Sequence, residues 1–240
     1  HPNLIEMIEY AKENTNAKVI LSTNATLLNK ELGEKIIKSK LDDIVFSIDG
    51  YTKQTYEKIK QGANYHLVIK NVHDLLTLKH DMKSKLNVVI QLVKLNQNEA
   101  EIEAFKWKWR KLGCTVDISW FNTWANQIPN YNDFSDKFNP NLFHSRIPCA
   151  DLWFKCVVNY DGKVVLCCHD FKETEELGNL KEQKLLEIWN SEKIRLLRNT
   201  HQKAMFNKIG LCHNCLEWSK EDDEYRYFPE FNFKGVGGRP

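Results

Sequence analysis

The chain has 240 residues, of which 42% are hydrophobic and 28% are charged, and its formal net charge is +2. This length suits one large domain, or one domain with a small appendage. The nearly balanced charge gives no reason to expect nucleic acid or a membrane surface as the main partner. No apolar run approaches the ~20 residues that a membrane-spanning helix needs, and no signal peptide opens the chain.

Residues 1–120 alternate helix-like and strand-like segments. Apolar residues at helical spacing predict helices over NLIEMIEYAKEN, NKELGEKIIKSK, a pair split by Gly62, and NEAEIEAFKWKWRKLG. Asn29 is a plausible N-cap for the second helix, and Gly113 a plausible end for the last. Short apolar runs predict four strands: AKVILS, DDIVFSID, KLNVVIQLV and CTVDISW. Strands separated by helices indicate parallel β–α–β units with right-handed crossovers, in a wound sheet or a partial barrel.

The chain changes character after residue 120. Residues 121–148 are rich in Asn, Pro, Asp and aromatic residues, which predicts a linker or a loop packed over a site. FKCVVNYDGKVVLCC predicts a hairpin around Asp161-Gly162. KLLEIWNSEKIRLLRNTH predicts a helix in two pieces, divided at Asn190-Ser191. Residues 219–240 run from acidic to aromatic to glycine-rich and predict a loosely docked tail.

Cysteines concentrate in the second half of the chain, which holds six of the seven. A secreted disulfide scaffold would be shorter and more evenly paired, so a reducing, cytoplasmic setting with metal ligation is the better interpretation. Cys212 and Cys215 form a C-x-x-C pair, and Cys149 and Cys167 flank the predicted hairpin. Such a set is typical of structural zinc or of an iron–sulfur cluster. Buried packing thiols are the alternative, which is favoured for Cys114.

The order of these motifs resembles the SPASM domain of radical S-adenosylmethionine (SAM) enzymes. The resemblance is carried by Cys149, DGKVVLC ending at Cys167, LGN at 177–179, LLEIWNSEKIRLLR and CHNC. No cysteine follows Cys215, so the likeness is to the shortened, single-cluster twitch form. It implies one auxiliary [4Fe–4S] cluster, with the ligands Cys149, Cys167, Cys212 and Cys215. Cys168 could replace Cys167, and Cys156 is expected in the core or beside the cluster.

The first half resembles the barrel of the same enzymes. VILSTNATLLN is similar to the third barrel strand, with Ala25 where many relatives have glycine. IVFSIDGYTKQTYEKIK is similar to the fourth strand, with Lys60 in place of an arginine. HPN resembles the end of a second-strand motif. The fold implied is α/β: a partial (β/α)6 radical SAM barrel with strands three to six over 1–120, the linker 121–148, a SPASM/twitch domain over 149–218, and the tail 219–240.

The resemblance implies SAM-binding residues at the carboxyl ends of the strands, where parallel α/β folds present ligand contacts. They are Ser22, Asn24, Ser47, Asp49 and Lys60. Hydroxyl and carboxylate groups suit a ribose diol or a methionine amine, and Lys60 could pair with the methionine carboxylate. Alternatively, Ser47 and Asp49 cap the next helix, or Asp49 shapes the turn. Gln91 is a weaker candidate. Acid–base candidates near the cluster ligands are Arg146, His169 and Asp170.

By resemblance, the intact enzyme forms a 5′-deoxyadenosyl radical that abstracts a hydrogen from a sugar, an alcohol or a peptide. Its auxiliary cluster accepts an electron or anchors the substrate, and flavodoxin or ferredoxin is the expected external electron donor. The second, catalytic [4Fe–4S] cluster needs C-x3-C-x2-C, which these 240 residues lack. The chain is therefore expected to be a fragment, inactive alone and prone to aggregate through an exposed sheet edge.

Two other hypotheses remain from the sequence. One is a non-catalytic four-cysteine zinc module that binds a partner. The other is a degenerate paralogue that keeps the fold without the radical cluster.

Overall fold

A computed structural model of the protein describes residues 1–130, 133–134 and 146–220. The chain divides into two compact units, His1–Phe121 and a second unit that begins at Asn122. Among the described residues, no helix is long and apolar enough to cross a lipid bilayer.

The first unit is built on a parallel sheet whose strand order is β1-β2-β3-β4. The strands are β1 (Ile20–Thr23), β2 (Asp43–Ser47), β3 (Asn87–Lys94) and β4 (Thr115–Trp120). The helices are α1 (Leu4–Asn14), α2 (Lys30–Lys38), α3 (Lys53–Ile59), α4 (Tyr65–Asp81) and α5 (Ile102–Lys111). A helix lies in every connection between neighbouring strands, so the predicted parallel β–α–β arrangement is confirmed.

The two faces of this sheet differ in burial, because successive side chains on a strand point to opposite faces. One face packs with the helices in the core and includes Ile44, Phe46, Val88, Ile90 and Leu92. The residues between them, such as Val45, Ser47 and Gln91, are only partly buried. Among the described residues of this unit, the helices pack against the buried face. We call the partly buried face the helix-free face, and it is the one available to a ligand.

Local sequence signals begin and end several of these helices. The side chain of Asn29 accepts a hydrogen bond from the backbone of Leu32 and caps α2, as predicted. Gly113 follows α5 with φ of +76°, a left-handed conformation that favours glycine. At Gly50, an added Cβ would lie 2.5 Å from the backbone nitrogen of Tyr56, so only glycine allows α3 to approach this turn.

The second unit contains an antiparallel sheet of order β5-β6-β7. Its strands are β5 (Val157–Val158), β6 (Lys163–Val165) and β7 (Glu176–Asn179), and its helices are α6 (Asp151–Phe154), α7 (Leu185–Trp189) and α8 (Glu192–Gln202). The predicted hairpin is present, with Gly162 at φ of +94°. The predicted division at Asn190-Ser191 is also present, because Ser191 caps α8. β7 was not predicted as a strand.

Residues 121–130 form turns, with three consecutive left-handed residues at Trp124, Ala125 and Asn126. Two parts of the predicted linker, 131–132 and 135–145, lie outside the described residues. So do residues 221–240 of the tail predicted over 219–240.

Candidate functional site

Five cysteines line one cavity of about 350 Å³ in the second unit: the four predicted metal ligands and Cys168. Cys149 lies just before α6, Cys167 follows β6, and Cys212 and Cys215 lie in the turns after a 3-10 helix at Phe206–Lys208. The fold thus brings together the residues predicted as metal ligands from three separate parts of the chain. The seven cysteines, all within the described ranges, form no disulfide.

Burial makes these thiols hard to ionise. Cys212 and Cys215 are each 9% exposed and pack in an apolar cluster with Leu166 and Leu211. Burial, with the neighbouring Cys215, raises the pKa of Cys212 to about 12. Burial also raises the pKa of Cys167 and of Cys215 above the ordinary thiol value. Arg146 is the nearby cation that acts against this rise at Cys212 and Cys215, but burial outweighs it. Because metal binding displaces thiol protons, a cationic metal centre would supply further compensating charge.

The adjacent cysteines 167 and 168 have different neighbours. Burial is the main cause that raises the pKa of Cys167. Three neighbouring thiols raise it further: those of Cys168, Cys212 and Cys215. Burial also raises the pKa of Cys168, but the next cause there is Asp151. Cys167 therefore lies near the C-x-x-C pair, whereas exposed Cys168 lies 3.6 Å from His169 Nε2.

The remaining two cysteines are outside the cavity. Cys114 is 6% exposed in the core of the first unit, as the packing interpretation predicted. Cys156 is exposed and does not line the cavity, so the expectation that it lies in the core or beside the cluster is wrong. It precedes β5, whose two residues leave it at the surface.

The four predicted ligand cysteines are not among the ligand atoms that lie within 4.8 Å of one another in the described residues. Four sulfurs bound to one zinc at about 2.3 Å would lie about 3.8 Å apart. In the described part of the chain, the ligand atoms gathered within 4.8 Å of one another belong instead to Asp151, Cys168 and His169. A [4Fe–4S] cluster holds its four thiolates farther apart and fills the space between them, which suits the cavity.

Two buried N–H donors beside the cysteines have no hydrogen-bond partner in the described structure: Arg146 Nε and Trp218 Nε1. Both residues line the cavity. Arg146 is fixed by donating from Nη1 to the carbonyl of Cys212 at 2.6 Å and by stacking on Phe206. Because an unpaired buried donor costs about 1–3 kcal/mol, acceptors such as sulfide and thiolate fit this cavity chemically.

His201 also lines the cavity and was missed in the sequence. It is 0% exposed, and burial together with Arg146 lowers its pKa to about 4, so the imidazole is neutral. The only available signal was its place at the end of the helix that precedes C-x-x-C.

A polar group lies at another part of the same cavity. Asp151 pairs with Lys155 at 2.7 Å, and His169 Nδ1 lies 3.1 Å from Asn122 Nδ2. The Oδ1 atom of Asn122 accepts from the Trp124 amide, so its Nδ2 donates to Nδ1 of His169. The proton of a neutral His169 is then on Nε2, which makes it a donor toward the cavity and disfavours metal ligation.

Asp170, an acid–base candidate from the sequence, has a structural role instead. Its carboxylate accepts hydrogen bonds from Thr174 and from the backbone of Glu175. It is 1% exposed and organises the loop that leads to β7.

In the first unit, Lys60 joins two of the other predicted residues. Its ammonium group donates to Ser47 Oγ at 3.1 Å and pairs with Asp49 Oδ2 at 2.9 Å. Asp49 Oδ1 accepts from the Val93 amide at 2.8 Å, so this carboxylate shapes the turn, as one alternative held. The alternative that Ser47 and Asp49 cap the next helix is wrong, because the side chain of Thr52 caps α3.

Ser22 and Asn24 lie at the edge strand β1 and are exposed. The side chain of Asn24 accepts from the Thr26 amide in a tight turn. Ala25 has φ of +60°, a left-handed conformation that is strained for alanine. Asn71 donates to the Ala25 carbonyl at 2.9 Å and helps to hold this turn.

Strand register aligns a polar row on the helix-free face of the sheet. Ser47 pairs with Gln91, and Gln91 pairs with Asp117. Gln91 Nε2 donates to Asp117 Oδ2 at 2.7 Å. Asp117 was missed in the sequence; the signal was an aspartate inside the strand CTVDISW, where aspartate is depleted.

Comparisons with known proteins agree with this geometry. Residues 149–216 match SPASM, an iron–sulfur cluster-binding domain. An uncharacterised protein of Treponema pallidum (strain Nichols) is 28% identical over 130 residues, 53% of this chain and 33% of that protein. The S-adenosyl-L-methionine-dependent 2-deoxy-scyllo-inosamine dehydrogenase of Niallia circulans is 32% identical over 68 residues, 28% of this chain and 27% of that protein. The matched segments thus span a third or less of each curated relative.

Solved structures share the fold at low identity. BtrN in complex with AdoMet and 2-DOIA is 15% identical, with a TM-score of 0.52 over 89% of this chain and 66% of that chain. Native anSMEcpe with bound AdoMet and Kp18Cys peptide is 15% identical, with a TM-score of 0.55 over 90% of this chain and 73% of that chain. The predicted resemblance to radical SAM enzymes with a SPASM-type domain, and the α/β fold class, are confirmed.

Proposed function

We propose that this chain is the barrel and auxiliary-cluster part of a radical SAM enzyme, with a [4Fe–4S] cluster held by Cys149, Cys167, Cys212 and Cys215. One observation carries the proposal. These four cysteines line a single cavity, and they lie within the segment that matches a SPASM domain. The buried, unpartnered donors of Arg146 and Trp218 support a sulfur-rich occupant of that cavity.

We further propose that SAM binds at the helix-free face of the first unit's sheet. Ser47, Gln91 and Asp117 offer a hydroxyl, an amide and a carboxylate in one row, which suits a ribose diol. Ser22 and Asn24 lie exposed on the neighbouring edge strand. Lys60 provides the positive charge for a carboxylate, and Asp49 orients it.

When bound, SAM with a catalytic [4Fe–4S] cluster of the whole protein would supply hydrogen-atom abstraction, and the auxiliary cluster would supply an electron acceptor or a substrate anchor. The chain's residues bind and orient these groups. His169 and Lys155 line the same cavity as the four cysteines, and we propose that their N–H groups donate to a substrate hydroxyl or carbonyl there.

The proposed substrate is a small polyol or amino sugar whose alcohol is oxidised, in a reducing cytoplasm with flavodoxin or ferredoxin as the electron donor. The dehydrogenase of Niallia circulans supports this choice. A peptide is the second candidate, which the peptide-bound anSMEcpe structure supports.

Anaerobic turnover of the whole protein tests the proposal. We expect 5′-deoxyadenosine to form with SAM and dithionite, and to acquire deuterium from a carbon-deuterated amino sugar alcohol rather than from a cysteine-containing peptide. Deuterium from the peptide alone would assign the second candidate, and no 5′-deoxyadenosine would contradict the radical enzyme. Gln91→Ala should weaken SAM binding about tenfold, whereas Thr77→Ala, on the exposed side of α4, should not.

A further inference from the structure

His201 contacts two of the four predicted ligand cysteines at once. The backbone N–H of Cys149 donates to His201 Nδ1 at 3.3 Å. On the other side of the ring, Nε2 lies 3.4 Å from Sγ of Cys212. The ring is fixed in this orientation by an edge contact with Phe206, with ring centroids 5.1 Å apart.

These contacts determine which ring nitrogen carries the proton. Because Nδ1 accepts a hydrogen bond from Cys149, it carries no proton, and the N–H of the ring is on Nε2. That N–H therefore points at the sulfur of Cys212. His201 is 0% exposed, so this N–H is shielded from bulk solvent.

We propose that His201 is a positioning residue that donates an N–H···S hydrogen bond to Cys212 and raises the reduction potential of the auxiliary cluster. The inference rests on the proposed function, since it needs the cluster. One-electron reduction adds negative charge to the cluster and its thiolates, and a fixed donor stabilises the reduced form more than the oxidised form. In a buried, low-dielectric site this preference is strengthened.

Other N–H donors act in the same sense. The backbone amide of Glu217 donates to Sγ of Cys215 at 3.4 Å. The buried donors of Arg146 and Trp218 line the same cavity. His201 differs from them because it also fixes the backbone at Cys149, and so couples ligands from two distant segments.

The test uses the full chain reconstituted with iron and sulfide and a redox titration followed by electron paramagnetic resonance. The resonance signal of the auxiliary cluster is identified as the one that disappears in the double variant Cys212→Ala/Cys215→Ala. His201→Phe keeps an aromatic ring at this position but removes both ring nitrogens. His201→Gln keeps an N–H donor of similar reach. At a fixed potential, we expect His201→Phe to shift the oxidised-to-reduced ratio about tenfold, about 59 mV for one electron. His201→Gln should restore most of that shift.

The outcomes separate this inference from the proposed function. Wild-type protein without iron contradicts the proposed function itself. A His201→Phe protein that keeps its iron and has the wild-type potential overturns only the inference. His80→Phe, at a histidine side chain that is 90% exposed in the first unit, is the matched control and should leave the potential unchanged.

A spectroscopic measurement on the wild-type protein tests the hydrogen bond directly. With ¹⁵N-labelled histidine, the reduced auxiliary cluster should show an electron–nuclear coupling to one histidine nitrogen. The same coupling should disappear in His201→Gln. Absence of any histidine coupling in the wild-type protein would refute the hydrogen bond.

Discussion

Asp49 provides the sharpest test of whether the strand-end S-I-D-G motif serves the fold or a ligand. Its side chain is 7% exposed and pairs with Lys60, whose side chain is 31% exposed. Asp49→Ala also leaves the Val93 amide without its acceptor. The unpaired amide costs about 1–3 kcal/mol. Because Lys60 is partly solvated, the lost ion pair adds at most about 1 kcal/mol. The two costs together span about 1–4 kcal/mol, and we expect a total loss of about 3 kcal/mol.

Urea unfolding measures this loss. With a slope of about 2 kcal/mol per molar urea, the midpoint should fall by about 1.5 M. Asp49→Asn keeps an acceptor for Val93 and should cost about 1 kcal/mol, which is the ion-pair part alone. Asp81→Ala, at an exposed aspartate, is the control and should change the midpoint little. An Asp49→Ala protein with the wild-type midpoint and no SAM binding would refute the structural role.

Three further predictions concern other residues. Gly50→Ala should lower the melting temperature, with a loss of about 1–3 kcal/mol, because the new Cβ would meet the Tyr56 backbone at 2.5 Å. Burial alone would raise the pKa of Glu101. Hydrogen bonds from threonine hydroxyls and backbone amides outweigh burial, so the pKa is lower than the ordinary value. The ionised Glu101 therefore stabilises the fold above pH 4.5, the ordinary carboxyl pKa, and this stabilisation is lost as the pH falls through its lowered pKa in the folded protein. The wild type should melt at a higher temperature than Glu101→Gln at neutral pH, and this difference should shrink in acid. Cys168→Ser should keep the iron content of the wild type, whereas Cys167→Ser should lower it.

Much of the fold could be predicted because its signals are local. Apolar periodicity, the Asn29 cap and Gly113 at the end of α5 predict elements without knowledge of distant contacts. β7 escaped prediction because ELGN has one apolar side chain and a glycine. Its pairing comes from β6, which is distant enough in sequence that no local pattern reveals it.

The candidate site could be predicted only where a motif marks its residues. The four cysteines carry a recognisable spacing, and the structure gathers them. His201 and Asp117 belong to no motif with a recognisable spacing. His201 is placed by the packing of α8 against the cavity, and Asp117 is placed by strand register. The competing roles of Asp49 could not be separated in the sequence either, because its partners Lys60 and Val93 are brought to it by tertiary structure.

Metal analysis of anaerobically purified protein tests the central claim most directly. Iron, sulfide and zinc should be measured in the wild type, in Cys212→Ala/Cys215→Ala, and in Cys156→Ser as the control at an exposed cysteine. The four-cysteine cavity predicts that the double variant loses about four irons and four sulfides per chain relative to the wild type, while Cys156→Ser loses none. One zinc per chain, with no iron that depends on Cys212 and Cys215, would contradict the account and leave a structural zinc module in its place.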